Sequence, residues 1–216
     1  MRVLGRPFPL VIAAPSGAGK TSLARALVER RRDVVFSISA TTRPRREYEV
    51  HGRDYFFVDD AAFDRMIETG ELLEWATVHG RRYGTPREGV TRGLEQGMVV
   101  VLDIDVQGAR QVREQFPDAV LVFILPPSAS ELERRLAKRG SEAREEVERR
   151  LAGARRELPL AASFDYVVVN DDFERAVSAL EAVVTAERHR RPRMVDLEKE
   201  LIRLDTELGR ILDRRE

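Results

Sequence analysis

Four short runs of consecutive apolar residues interrupt an otherwise polar chain: Leu10-Val11-Ile12-Ala13, Val99-Val100-Val101-Leu102, Val120-Leu121-Val122-Phe123-Ile124-Leu125 and Tyr166-Val167-Val168-Val169. A run without polar alternation suits a strand covered on both faces, as in a parallel sheet. Val34-Val35-Phe36-Ser37-Ile38 is a further candidate strand. Helical spacing occupies 21–31, 61–68, 90–96, 107–115, 130–138, 144–157 and 173–190. This alternation predicts an α/β fold, a doubly wound parallel sheet flanked by helices, with ligands at the carboxyl ends of the strands.

Three regions depart from the alternation. Residues 40–97, rich in Arg, Gly, Tyr and Glu and holding β-like pieces such as Tyr55-Phe56-Phe57-Val58, read as a small mixed α/β insertion. Its bounds are set at 40–93, between core segments 1–39 and 94–192. Residues 138–150 are almost all polar, either a solvated helix face or, within 131–157, a mobile helical lid. After Pro192, Leu197, Leu201, Leu204, Leu208 and Ile211 recur at 4-3-4-3 spacing, one apolar seam on a charged helix over 193–216. That seam packs back on its own domain or pairs with a second copy; the spacing is compatible with both.

Composition narrows the function classes. At 216 residues and 43% hydrophobic, the chain can build one sizeable domain with room for subdomains. Basic and acidic residues balance at 37 each, which gives no global attraction to nucleic acid or an anionic membrane. The arginine clusters also lack the interleaved aromatics of a single-strand binder. With no cysteine there is no disulfide, thiol catalysis or thiolate metal site, and His51, His79 and His189 show no ligand spacing. Arg2 and Arg6 ahead of a short apolar segment superficially resemble a leader, but the segment runs straight into the loop described next. No run approaches the ~20 apolar residues of a membrane span. A soluble cytoplasmic protein without a cleaved leader is expected.

The loop is Ala14-Pro15-Ser16-Gly17-Ala18-Gly19-Lys20-Thr21, after the first apolar run and opening a helix. Gly17 and Gly19 let the backbone fold tightly, so that N–H groups point at phosphate oxygens at a helix N-terminus. Lys20 adds a charge for the β- and γ-phosphates and Thr21 a hydroxyl for Mg²⁺. The motif G-x-x-x-x-G-K-[ST] is missed by one methyl group, at Ala14. Asp103 and Asp105 end an apolar strand where a Mg²⁺-linked acid belongs, although strand-end aspartates also serve as helix caps. Arg43, Arg45 and Arg46 crowd four positions, as a phosphate or carboxylate clamp or as a solvated loop. Tyr55 and Tyr83 offer hydroxyls to complete a phosphate cradle. Glu74, in the apolar Leu72-Leu73-Glu74-Trp75-Ala76, suits the paired N–H donors on the Watson–Crick edge of guanine.

Several ordered segments together, 37–46, Gly52-Arg53-Asp54-Tyr55-Phe56, Glu74-Trp75-Ala76, Tyr83-Gly84-Thr85, 102–108, Arg139-Gly140-Ser141-Glu142 and Val169-Asn170-Asp171-Asp172, give the chain a resemblance to bacterial guanylate kinases over nearly its whole length. The resemblance implies a phosphate-loop nucleoside monophosphate kinase that carries out ATP + GMP ⇌ ADP + GDP with Mg²⁺. By position it implies that Ser39, Glu74, Thr85 and Asp103 read the guanine and that Arg43, Arg46, Tyr55 and Tyr83 hold the GMP phosphate. It also implies that Ser16, Gly17, Ala18, Gly19, Lys20, Thr21 and Ser22 wrap the ATP phosphates, with Asn170 near adenine. Lys20, Arg43 and the lid arginines Arg135, Arg139 and Arg150 would act on the transferring group, and Asp105 on the metal through water. Closure of the insertion by GMP and of the lid by ATP is expected. Two other readings stand beside this one: a non-catalytic guanylate-kinase-like phosphopeptide module, disfavoured by the intact loop, and a kinase for another phosphorylated acceptor, disfavoured by Glu74.

Overall fold

The first three apolar runs become neighbouring strands covered from both sides, whereas the fourth, Tyr166–Val169, forms an edge strand that buries Val168 and leaves Val167 and Val169 exposed, so the two-faced burial expected from its sequence holds on one face only. The computed structural model describes residues 5–78, 80–138 and 144–214. In chain order its elements are β1 (Pro9–Ala13), α1 (Lys20–Arg30), β2 (Val34–Phe36), β3 (Ala40–Thr41), β4 (Phe56–Phe57), α2 (Asp60–Glu68), β5 (Leu72–Val78), β6 (Arg81–Pro86), α3 (Arg87–Glu95), β7 (Val99–Asp103), α4 (Val106–Gln115), β8 (Val120–Leu125), α5 (Ala129–Lys138), α6 (Arg144–Glu157), β9 (Tyr166–Val169), α7 (Phe173–His189) and α8 (Leu197–Asp213).

A five-stranded sheet in the order β2-β7-β1-β8-β9 is parallel throughout. Successive β1 residues feed opposite faces. Leu10 and Ile12 pack with Leu23 and Leu27 of α1 and Leu180 and Val184 of α7, while Val11 joins Val100, Leu102 and Val112 of α4 on the other side. Chain order reverses around β1, which opens a crevice at its carboxyl end. The phosphate loop leaves β1 at that point.

β2 ends at Phe36, two residues before the end of the apolar stretch read from sequence. Ser37 still donates its N–H to Val101 O (2.9 Å), and the chain then departs into a second sheet of order β4-β3-β6-β5. Residues 40–86 build that sheet and α2, whose Phe63 is fully buried beneath it. α3 returns to the first sheet: Val90 lies in the core with Val100, and a Cβ at Gly93 would meet Val100 and Val35.

Before α8 the chain is pinned to the domain. Buried Arg193 pairs with Glu187 (3.1 Å) and lies over the Phe8 ring at 4.3 Å. Beyond that anchor no α8 residue is buried, and Leu201, Leu204, Leu208 and Ile211 are exposed. Packing of the seam on its own domain is therefore not the arrangement adopted. Among the described residues no helix is long and apolar enough to cross a membrane.

Candidate active site

Gly17 and Gly19 adopt φ of 90° and 94°, which a side chain resists, and both are crowded from behind. A Cβ at Gly17 would lie 2.9 Å from Leu136 Cδ2, and one at Gly19 would collide with Asn170 Nδ2. The carbonyl of Ala18 accepts from Asn170 Nδ2 (2.7 Å) and Arg135 Nη1 (3.3 Å). Ala18 is buried, whereas Ser22 is exposed on the first turn of α1 and Ser16 is half-buried. Ala14 is not among the positive-φ residues, and its methyl packs in the core. The methyl group at the motif's first position thus meets no geometric obstacle.

On the front of the loop, Lys20 Nζ donates to Ile104 O (2.6 Å) and pairs with Asp103 Oδ1 (2.9 Å). Thr21 Oγ1 donates to Asp103 Oδ2 (2.6 Å). Asp105 caps α4, accepting from Gly108 N at 2.8 Å, so the helix-cap reading applies to it. Thr21 and Asp103 set two hard oxygen donors side by side. Among the described residues no group of three or more His, Cys, Asp or Glu is placed to hold a metal. This donor set fits an ion whose remaining ligands are phosphate oxygens and water.

A cavity of about 210 Å³ in front of the loop is lined by Lys20, Thr21, Asp103 and Asp105 on the loop side and by Ser39, Tyr55, Glu74 and Tyr83 from the insertion. Glu74 is only 4% exposed and accepts from Thr85 Oγ1 (2.6 Å) on the neighbouring strand β6. Burial pushes its carboxyl up to about 7, against the pull of the Thr85 hydroxyl and with a further push from the Asp105 charge. Ser39 is buried beside it. Burial and the Asp103 charge push the Tyr55 hydroxyl to about 12. Its ring meets that of Tyr83 edge-on at 6.0 Å, with the Arg43 guanidinium 5.4 Å from the Tyr55 centroid.

Arg43 is oriented by a residue that the sequence reading did not single out. Glu49 takes its fork through both oxygens (2.6 and 3.0 Å) and also accepts from Arg46 N (2.8 Å). Burial resists ionisation of Glu49, but the Arg43 and Arg46 donors outweigh it and hold the carboxyl below its usual range. The guanidinium of Arg46 reaches Tyr48 Oη at 3.0 Å. Glu47 and Glu49 both follow the arginines, so the sequence alone does not mark which acid takes the fork. Asp54 was also missed: it joins the insertion to α1 through Arg25 (2.7 Å) and accepts from Val50 N (2.8 Å). Arg25 above all holds the Asp54 carboxyl well below its ordinary value.

From the lid side, Arg135 on α5 reaches the loop and also donates to Asn170 O (3.0 Å) and Glu131 (2.7 Å). Arg150 on α6 donates to Glu146 (2.9 Å). Arg139 lies outside the described residues. Asn170, Arg135, Gly17, Gly19 and Phe173 line a second cavity, about 360 Å³, on the far side of the loop.

With this geometry in view, comparison with known proteins points to the guanylate kinases. The guanylate kinase family model matches residues 6–187. A guanylate kinase of Myxococcus xanthus is 52% identical over 191 residues, covering 88% of this chain and 91% of its own length. One of Caldanaerobacter subterraneus subsp. tengcongensis is 50% identical over 188 residues, covering 87% and 91%. The crystal structure of guanylate kinase from Anaplasma phagocytophilum superposes with a TM-score of 0.78 at 36% identity, covering 92% of this chain and 95% of that one.

Proposed function

Because the chain belongs to the guanylate kinase family, we propose that it transfers the γ-phosphoryl group of ATP to GMP, giving ADP and GDP. The observation that carries this reading is the shared cavity, in which a phosphate loop and a buried, guanine-compatible carboxylate face one another.

Loop N–H groups and Lys20 hold the ATP phosphates, and Ser39, Glu74, Thr85 and Asp103 read the base, Thr85 through the hydrogen bond it donates to Glu74 from a fully buried position. Arg43, Arg46, Tyr55 and Tyr83 hold the acceptor phosphate so that one of its oxygens attacks the γ-phosphorus in line. Such a transition state asks for positioning and positive charge more than for covalent chemistry. Lys20, Arg43, Arg135, Arg139 and Arg150 supply the charge. Asp103 orients Lys20 and Thr21 as well as facing the base cavity. Mg²⁺, held by Thr21 and through water by the aspartates, would neutralise phosphate charge. Asn170 supports the loop from behind and borders the second cavity, where this reading puts adenine. Closure of insertion and lid around both nucleotides excludes water, which would otherwise hydrolyse ATP.

The same reading places the enzyme in the cytoplasm, working on free nucleotides rather than on nucleic acid or a membrane. It includes self-association through the seam of α8, whose Leu201, Leu204, Leu208 and Ile211 are exposed. Full-length protein should sediment heavier than a Leu204→Glu/Leu208→Glu variant; equal masses would remove the seam from this reading.

The activity is tested by coupled ADP production from ATP with GMP, AMP, UMP and a ribose phosphate as acceptors. GMP should dominate. ADP release independent of acceptor, or faster with AMP, would overturn the assignment.

A further inference from the structure

Among the described residues β5 is an edge strand of the second sheet, paired with β6 alone. The backbone groups on its outer edge therefore lack a strand partner, and successive outward-facing residues are two apart. Leu73 and Trp75 are such a pair, and Glu74 lies between them. Gln111 on α4 supplies what a neighbouring strand would: its Oε1 accepts from Trp75 N (3.2 Å) and its Nε2 donates to Trp75 O (2.8 Å). One turn further, Gln115 Nε2 donates to Leu73 O (2.5 Å).

Gly108, Gln111 and Gln115 fall at i, i+3 and i+7, one stripe of the helix. At the head of the stripe, a Cβ on Gly108 would overlap Glu74 Oε2 and stand 3.0 Å from Glu74 Cδ and 3.3 Å from Ile104 Cδ1. The stripe thus leaves a slot for one carboxylate and fixes the strand on both sides of it. The same helix is capped by Asp105, two residues after the aspartate that holds Lys20 and Thr21.

We propose that this stripe of α4 is a specificity device: Gln111 and Gln115 are positioning residues that set the height of Glu74, and Gly108 keeps open the space its carboxylate occupies. Base selection is then registered against the phosphate loop by a core helix, not by the insertion alone. The proposal rests on the reading of Glu74 as the guanine-binding group.

The test uses the full chain with Gly108→Ala and Gln111→Met, measuring kcat, KM for GMP and for ATP, the GMP-over-AMP ratio of kcat/KM, and Tm. Alanine favours a helix over glycine, so any loss in Gly108→Ala comes from the slot. Gly108→Ala should raise the GMP KM and shrink the base ratio by about tenfold or more, and Gln111→Met by about threefold, with ATP KM within about twofold in both. If Gly108→Ala does not fold, Gln111→Met decides on the same readings. A variant that loses Tm but keeps the GMP KM and base ratio within about twofold of the parent would make the stripe mere packing and overturn the proposal. Glu74→Gln separates the two assignments. Selectivity lost there but intact in both α4 variants sinks this proposal alone; selectivity intact in Glu74→Gln sinks the reading of Glu74 and the proposal with it.

Discussion

On the proposed reading, the two halves of the cavity recognise their ligands by opposite means. The ATP half is made of backbone: two glycines in the left-handed region, a helix N-terminus and a rear carbonyl held by Asn170 and Arg135. The GMP half is made of side chains on a second sheet, centred on a buried carboxylate whose proton affinity has been raised by the loss of water. Backbone N–H groups read charge and shape, which are the same for every nucleoside triphosphate. A desolvated carboxylate reads identity, because a base that leaves it unpaired pays the full cost of burial. The halves should therefore fail in different ways.

The largest effect is expected at Lys20. Lys20→Met removes a preorganised charge from the transferring group and should lower kcat by about 10²–10³-fold, while calorimetric GMP affinity and base preference stay put. A change in base preference would show that the halves are not separable. Next is Glu74→Gln, which weakens charge-assisted bonds of about 1.5–3 kcal/mol each and should cost about ten- to a hundredfold in kcat/KM for GMP. ATP KM in that variant is the control; a parallel rise would again break the comparison.

A smaller effect separates the halves by pH. If Glu74 reads guanine as proposed, the base's N–H donors need it ionised, and a carboxyl titrating at about 7 is half protonated at neutrality. Below that pH the GMP KM should rise, approaching about tenfold per unit. Phosphate groups titrate near pH 6 as well, so Glu74→Gln, which cannot titrate there, supplies the baseline. The stability consequence has a definite sign. The carboxyl is raised from its ordinary 4.5, so the folded state holds this proton more tightly than the unfolded chain. Its contribution is full below about 4.5 and is lost as pH rises through about 7. Urea midpoints at pH 5 and 8 should differ more in the parent than in Glu74→Gln; equal differences would mean that Glu74 is not buried as described.

Legibility divides along the same line. The loop at 14–21 was readable because glycine, lysine and threonine at fixed spacing have a local backbone consequence, and β1, β7 and β8 because burial on both faces forces continuous apolar runs, a pattern that β9 shares although Val167 and Val169 are exposed. The GMP half was readable only as residue types and by resemblance. β3 and β4 are two residues each, too short to carry a periodic pattern, and β5 hides its strand character behind Glu74 in an apolar stretch. Glu49, Asp54, Gln111 and Gln115 had no local signal, because each acts through a contact that exists only after the chain folds: Arg43 and Arg46 N for Glu49, α1 for Asp54, the edge of β5 for the glutamines. The α8 seam was plain in spacing, yet spacing alone left its partner open.

The smallest expected effect probes the one departure from the loop motif. Ala14 follows β1 directly, outside the left-handed region, and is only 9% exposed, packed in the same core cluster as Leu10 and Ile12. Glycine there would remove a buried methyl and loosen the strand end, both acting on the folded domain as a whole. The phosphate-facing N–H groups depend instead on Gly17, Gly19 and the Ala18 carbonyl, which this substitution does not touch. Ala14→Gly should therefore lower Tm slightly, by about 1 kcal/mol or less of stability, and leave both nucleotide KM values within error. A selective gain in ATP affinity would place the strand end inside the phosphate grip and move the boundary between the two halves back by one turn of the loop.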